Sequence, residues 1–191
     1  PIFYLIPGLG ADRRLFAKLD LRGHNLHFLE WPVVPVGTSL PDFAQLLAGR
    51  VDATKPHALI GVSMGGMVAQ ELASITHPTR VIIVSSWKGP HEMPRHLRML
   101  RGTHPERILT PVVLKQALPV VRWQMGVEQP EDMALFNTLI TVHPVDQLKA
   151  QIDACITWNG PASPVKDLVH IHGDLDRLMP IGPIHDAHCI R

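Results

Sequence analysis

His57-Ala-Leu-Ile-Gly-Val-Ser63-Met-Gly-Gly66, continued by Met67-Val-Ala-Gln-Glu-Leu-Ala-Ser-Ile75, decides how the chain folds. A short apolar run ends at a serine with glycines two residues to either side. Behind it Met64, Met67, Val68, Leu72 and Ile75 recur at helical spacing, so one face of the segment can pack on a sheet. Gly61-Val62-Ser63-Met64-Gly65 therefore reads as G-x-S-x-G between a strand and a helix, the context that gives this motif meaning. A serine at so sharp a turn sits on a strained backbone, and glycine at 61 and 65 removes the side chains that would collide. The hydroxyl is then exposed above the sheet, and the Met64 N–H points from the first helical turn toward any developing negative charge.

Outward from this stretch the strands read as unbroken apolar runs. Ile2-Phe-Tyr-Leu-Ile6 comes before it and Arg80-Val-Ile-Ile-Val-Ser-Ser86 after it, with Asn25 to Trp31 as a partly alternating strand. Between them, Asp12 is placed to cap a helix carrying Leu15, Phe16 and Leu19. Ser39-Leu-Pro-Asp42 is a capping box opening a helix with Phe43, Leu46, Leu47 and Val51 on one side. Such a strand–helix alternation predicts an α/β fold, a mostly parallel sheet of about six strands covered by helices on both faces. From His91 to Trp158 no strand pattern recurs. Helical patterns at 93–101, 111–125 (with a break expected at Pro119), 133–140 and 145–156 predict an all-helical insertion. Residues 1–91 and 159–191 then form the core and 92–158 a helical cap, with Leu168 to His172 and His188 to Ile190 as the closing strands.

The chain has 191 residues, 46% of them apolar, and a formal net charge of +1, enough for one sizeable core. That balance argues against disorder, nucleic-acid binding and a membrane-surface role, and no apolar run approaches the length of a membrane span. Cys155 and Cys189 share no C-x-x-C or ligand-spaced histidine; both are expected as buried thiols in a reducing, cytoplasmic setting. His170 and His172, inside a strand, read as core groups rather than metal ligands. Arg95, Arg98 and Arg101 read as a solvated helix face, and Met93, Met99, Met125, Met133 and Met179 as core or cap filler. Trp123 and Trp158 are placed to brace the cap on the core.

Three separated signatures make the chain resemble the α/β-hydrolase fold family over essentially its whole length. They are the elbow at Ser63, the Pro7-Gly8-Leu9-Gly10 loop after the first strand, and His172-Gly-Asp-Leu-Asp176-Arg-Leu-Met-Pro180, similar to that family's H-G-x-x-D-x-x-x-P segment. The resemblance implies a serine hydrolase acting on a small-molecule acyl substrate. Ser63 would be the nucleophile and Asp176 the acid that orients a histidine base. The backbone N–H groups of Leu9 and Met64 would form the oxyanion hole. Asp174, the rival acid, reads as a turn residue. Pro7 stands where the family often has histidine, which bears on how the loop is anchored. No cofactor and no metal is implied. The family's base follows the last strand. His185, before that strand, and His188, expected at the end of the sheet opposite Ser63, are not expected to serve, so the base is expected beyond Arg191. The start at Pro1 and the stop at Arg191 suggest a chain cut at both ends. Thioester, amide or carbon–carbon hydrolysis by the same residues is the alternative activity, and a non-catalytic binding protein of the same fold the alternative class.

Overall fold

The computed structural model describes residues 1–190, with side chains at all of them except 141 and 142. Six strands form one sheet: β1 (Ile2–Ile6), β2 (Asn25–Phe28), β3 (His57–Val62), β4 (Arg80–Val84), β5 (Leu168–Gly173) and β6 (His188–Ile190). Their order is β2-β1-β3-β4-β5-β6 and every pair is parallel. Parallel strands need crossovers: α1 (Leu40–Ala48) lies in the one that carries the chain from β2 past β1 to β3, and α2 (Met64–Thr76) in the one from β3 to β4. The expected α/β sheet is thus present, with its strands entirely parallel.

Side-chain alternation splits the sheet into two unequal faces. Tyr4, Ile6, Leu59, Val81 and Ile83 are buried in one cluster with Phe43 and Leu47 of α1 and with Met67, Val68 and Leu72 of α2. On the other face Leu5 is fully buried, whereas Ile60, Ile82, Val84, Val169 and Ile171 are only half-buried. Helix α1 begins with the expected capping box: Ser39 accepts from the Asp42 N–H, and the Asp42 carboxylate accepts from the Ser39 N–H. Leu40, Phe43, Ala44 and Leu47 make its buried stripe, while Leu46, expected on that stripe, is 53% exposed.

Two more local expectations are corrected. The segment after Asp12 forms only a 3-10 turn, Arg13–Phe16, because Phe16 alone finds a buried seat and Leu19 stays exposed. The second strand stops at Phe28 instead of running to Trp31, since its residues lie at the sheet edge ahead of Pro32.

Between β4 and β5 the described backbone contains helices and no strand: α3 (Arg95–Met99), a 3-10 turn at Pro105–Ile108, α4 (Pro111–Gln124), α5 (Pro130–Val142) and α6 (Val145–Thr157). Pro119 does not break α4, although it removes one helical N–H. Arg101 lies beyond α3 and is not merely solvated: its guanidinium donates to the carbonyls of Thr157 and Trp158 and to Asn159 Oδ1. Helix α6 joins the main core through Ala150, Ala154 and Cys155, and Trp158 just past it donates its indole N–H to Glu71 Oε1 of α2 at 2.6 Å. Trp123, by contrast, is 60% exposed and does not brace the core. Cys189 is exposed because all of β6 is, so only Cys155 is the buried thiol expected. No helix among the described residues is long and apolar enough to cross a membrane.

Candidate active site

The turn from β3 into α2 is built around Ser63, whose φ of 53° and ψ of −121° lie outside the regions ordinary residues prefer. Such a conformation costs about 1–3 kcal/mol and persists only where its surroundings over-determine it. Here the Ser63 N–H donates to Val84 O at 2.8 Å, and its carbonyl accepts from Gly66 N–H at 2.8 Å and from the Ser86 hydroxyl at 2.8 Å. The glycines are steric requirements. A Cβ on Gly61 would lie 2.1 Å from Gly65 O, and one on Gly65 2.2 Å from Ile6 O. Gly66 is equally confined, 2.6 Å from Ser86 Oγ, a role that no spacing rule reveals.

The loop after β1 lies directly against this turn, since a Cβ on Gly8 would sit 3.5 Å from Ser63 Cβ. Two side chains hold it. The Trp31 indole donates to Gly8 O at 3.0 Å, and the Gly10 N–H donates to Gln151 Oε1 of α6 at 2.8 Å. Neither residue is marked in the sequence, because both come from elsewhere in the chain and belong to no motif. The Leu9 N–H has no acceptor among the described residues, and the Met64 N–H, first in α2, has no intrahelical partner. Two main-chain donors near Ser63 are therefore left unspent.

After β5 the chain turns through Gly173 to Pro180. Asp176 Oδ1 accepts from the N–H groups of Leu178 (3.0 Å) and Met179 (2.8 Å), which fixes the carboxylate and leaves Oδ2 outside that pair of bonds. Beneath this loop runs a histidine relay. His172 Nε2 is 2.7 Å from Met179 O, and a carbonyl only accepts, so Nε2 carries the proton. His172 Nδ1 then accepts from His170 Nε2 at 3.2 Å. Burial holds His170 down to about 4, so it is neutral near pH 7 and fits this arrangement. Both histidines are core groups that tie the loop to β5, as expected of strand residues.

Ser63 and Asp176 line one cavity of about 380 Å³, together with Asp174 and the apolar side chains of Met125, Leu178 and Met179. That volume is in the range of small-molecule sites. Among the described residues no histidine lines it. The expectation that His188 lies at the opposite end of the sheet is corrected. β6 pairs only with the last part of β5, and through Ile171 and Val84 it sets His188 level with Val62. The separation is lateral: β6 stands three strands from β3, about 14 Å at the usual spacing. His185 sits before β6, where its N–H donates to Glu92 Oε1 and its carbonyl accepts from Lys88 Nζ.

The model of the alpha/beta hydrolase family matches residues 2–189, and the chain belongs to that family. Solved structures with the same fold include a hydrolase from Pseudomonas aeruginosa PA01 at 14% identity and a TM-score of 0.73, covering 100% of this chain and 80% of that one. A thermophilic esterase from Thermogutta terrifontis follows at 17% identity and 0.69, with 98% and 79% covered. A thioesterase from the prodiginine pathway of Streptomyces coelicolor has 18% identity and a TM-score of 0.59, with 100% and 79% covered. No curated protein sequence matches.

Proposed function

We propose that the protein is a serine hydrolase that cleaves a carboxylic ester or related acyl bond through an acyl-enzyme on Ser63. The observation that carries this reading is the strained Ser63 turn, opening on the same cavity as the fixed carboxylate of Asp176. Strain of this kind at a polar residue beside a cavity suits a nucleophile held for attack. Ser63 Oγ would add to the substrate carbonyl carbon while its proton passes to an imidazole. The carbonyl π electrons would move to oxygen, where the N–H groups of Leu9 and Met64 receive the charge. Collapse expels the alcohol with the imidazole's proton, and water then hydrolyses the acyl-enzyme by the same steps. Oδ2 of Asp176 is the oxygen suited to orient that imidazole, which would dock inside the cavity between Oδ2 and Ser63. The helices from α3 to α6 act as a cap, and the apolar lining by Met125, Leu178 and Met179 favours an apolar acyl or alcohol group.

The test is labelling with a fluorophosphonate probe together with hydrolysis of short-chain nitrophenyl esters. With a histidine base in that place the protein should label and turn over, and Ser63→Ala should abolish both. Asp176→Asn, which keeps an oxygen for the two backbone donors, should lower kcat by about 10³–10⁴ with KM little changed. Labelling that persists in Ser63→Ala overturns the assignment, and ester binding without turnover in a chain that carries the histidine base identifies a binding protein instead.

A further inference from the structure

His104, Glu106 and Asp153 bring three ligating side chains together where the Pro105–Ile108 turn meets α6, and none of them lines the Ser63 cavity. One atom from each lies within 4.8 Å of the others. His104 Nδ1 stands 3.3 Å from Glu106 Oε1 and 3.9 Å from Asp153 Oδ1. Both carboxylates are buried, with side-chain exposures of 2% for Glu106 and 10% for Asp153. Arg107 approaches Glu106 only to 4.0 Å and is itself 74% exposed. Most telling is Glu106 Oε2, which is fully buried and has no hydrogen-bond partner. Water-excluded carboxylates are retained where they are paired or bind a metal, and an orphaned oxygen in one calls for a missing partner.

We propose that these three residues form a Zn²⁺ site that pins the Pro105–Ile108 turn to α6. One imidazole nitrogen and two carboxylate oxygens are a donor set that zinc accepts, with water in the fourth position. Donors about 2.0–2.1 Å from a tetrahedral zinc stand about 3.3 Å apart, which is the separation of His104 Nδ1 and Glu106 Oε1. Two anionic ligands neutralise the ion, and the ion supplies the charge that the buried carboxylates lack. The bond would also steady the active-site loop indirectly, because α6 carries Gln151, the acceptor for the Gly10 N–H. No local motif announces the site. Glu106 and Asp153 lie in separate elements and meet only through the packing of the turn on α6.

The experiment is calorimetric titration of the chelator-stripped protein with ZnCl₂, with thermal melts alongside. One zinc per chain should bind at micromolar concentration or below, and Tm should rise by about 5–10 °C at zinc a hundredfold above Kd. His104→Ala should weaken binding at least tenfold, with the zinc-induced rise in Tm read against the variant's own zinc-free melt, because alanine is strained at the φ of 52° that His104 adopts. Glu106→Gln should do the same to binding. Absence of a stoichiometric site, or unchanged zinc affinity in His104→Ala, overturns the proposal.

Discussion

Gly65→Ala gives the sharpest test of how the Ser63 turn is built. The new Cβ would meet Ile6 O at 2.2 Å and Pro7 O at 2.5 Å. Contacts under 3.0 Å are essentially never seen for real Cβ atoms, so backbone must move by about 0.8 Å. Both partners are backbone carbonyls, one at the end of β1 and one just past it, with no flexible side chain to yield. Overpacking of this kind costs about 1–3 kcal/mol, and the backbone clash points to the upper end. At about 2–4 °C per kcal/mol for a chain of this size, Tm should fall by about 6–12 °C. The displaced strand end leads straight into the loop against Ser63, and a shift approaching 1 Å there should cost about 10²-fold in kcat. Gly49→Ala is the control, because Gly49 has an ordinary φ of −64° and nothing within 4 Å of its added Cβ. It should leave Tm unchanged or raise it slightly. Scanning calorimetry and nitrophenyl ester kinetics on both variants decide the matter. A Gly65→Ala protein with parental Tm and kcat refutes the steric account of the turn.

Two further outcomes follow from buried polar groups. His170 is held neutral to about 4 by burial, with His172 and Lys88 acting in the same direction and Glu92 against it. An unfolded histidine titrates near 6.5. Between those values the unfolded chain binds more protons, so stability falls as pH drops through the window and levels off below it. Urea midpoints from pH 7 to 4 should decline less steeply in His170→Gln, and identical slopes contradict the assignment. Burial raises the Glu71 carboxyl, and its bond to the Trp158 indole opposes that rise. Trp158→Phe should therefore lower Tm by several degrees, and adding Glu71→Leu should restore part of the loss, since it removes the unpaired acceptor. A double variant no better than the single one refutes the pairing.

The parallel sheet and the elbow were legible because they rest on local rules: unbroken apolar strands, a serine between glycines, and a helix with its apolar stripe directly behind. The Asp176 loop was legible by its family-like spacing, and the structure sets Asp176 beside the same cavity as Ser63. What could not be read depends on distant partners. Trp31, in the loop after β2, and Gln151 of α6 hold the Gly-rich loop, and Ser86 supports the Ser63 carbonyl across the turn. Leu19 and Leu46 have apolar spacing yet remain exposed, since periodicity records which face could be buried and not whether anything covers it. His188 was misplaced because strand register is set by pairing partners rather than by the strand's own residues.

The helical segment is fastened very unevenly. On the α6 side, Gln147 exchanges two hydrogen bonds with the Val34 backbone, Gln151 takes the Gly10 N–H, and Trp158 is sunk against Glu71. On the α4 side, Arg177 donates one bond to Trp123 O and stacks over its ring at 5.0 Å. Arg177 also pairs with Glu128 just past α4, and Lys18 with Asp132 of α5, all at exposed or half-exposed side chains. A swing of α4 would break only such surface contacts, whereas a swing of α6 would tear out the support of the loop beside Ser63. Among the described contacts, the α6 end is therefore the firmly anchored half of the segment, and the α4 end is the half that can part from the core while the loop beside Ser63 keeps its support.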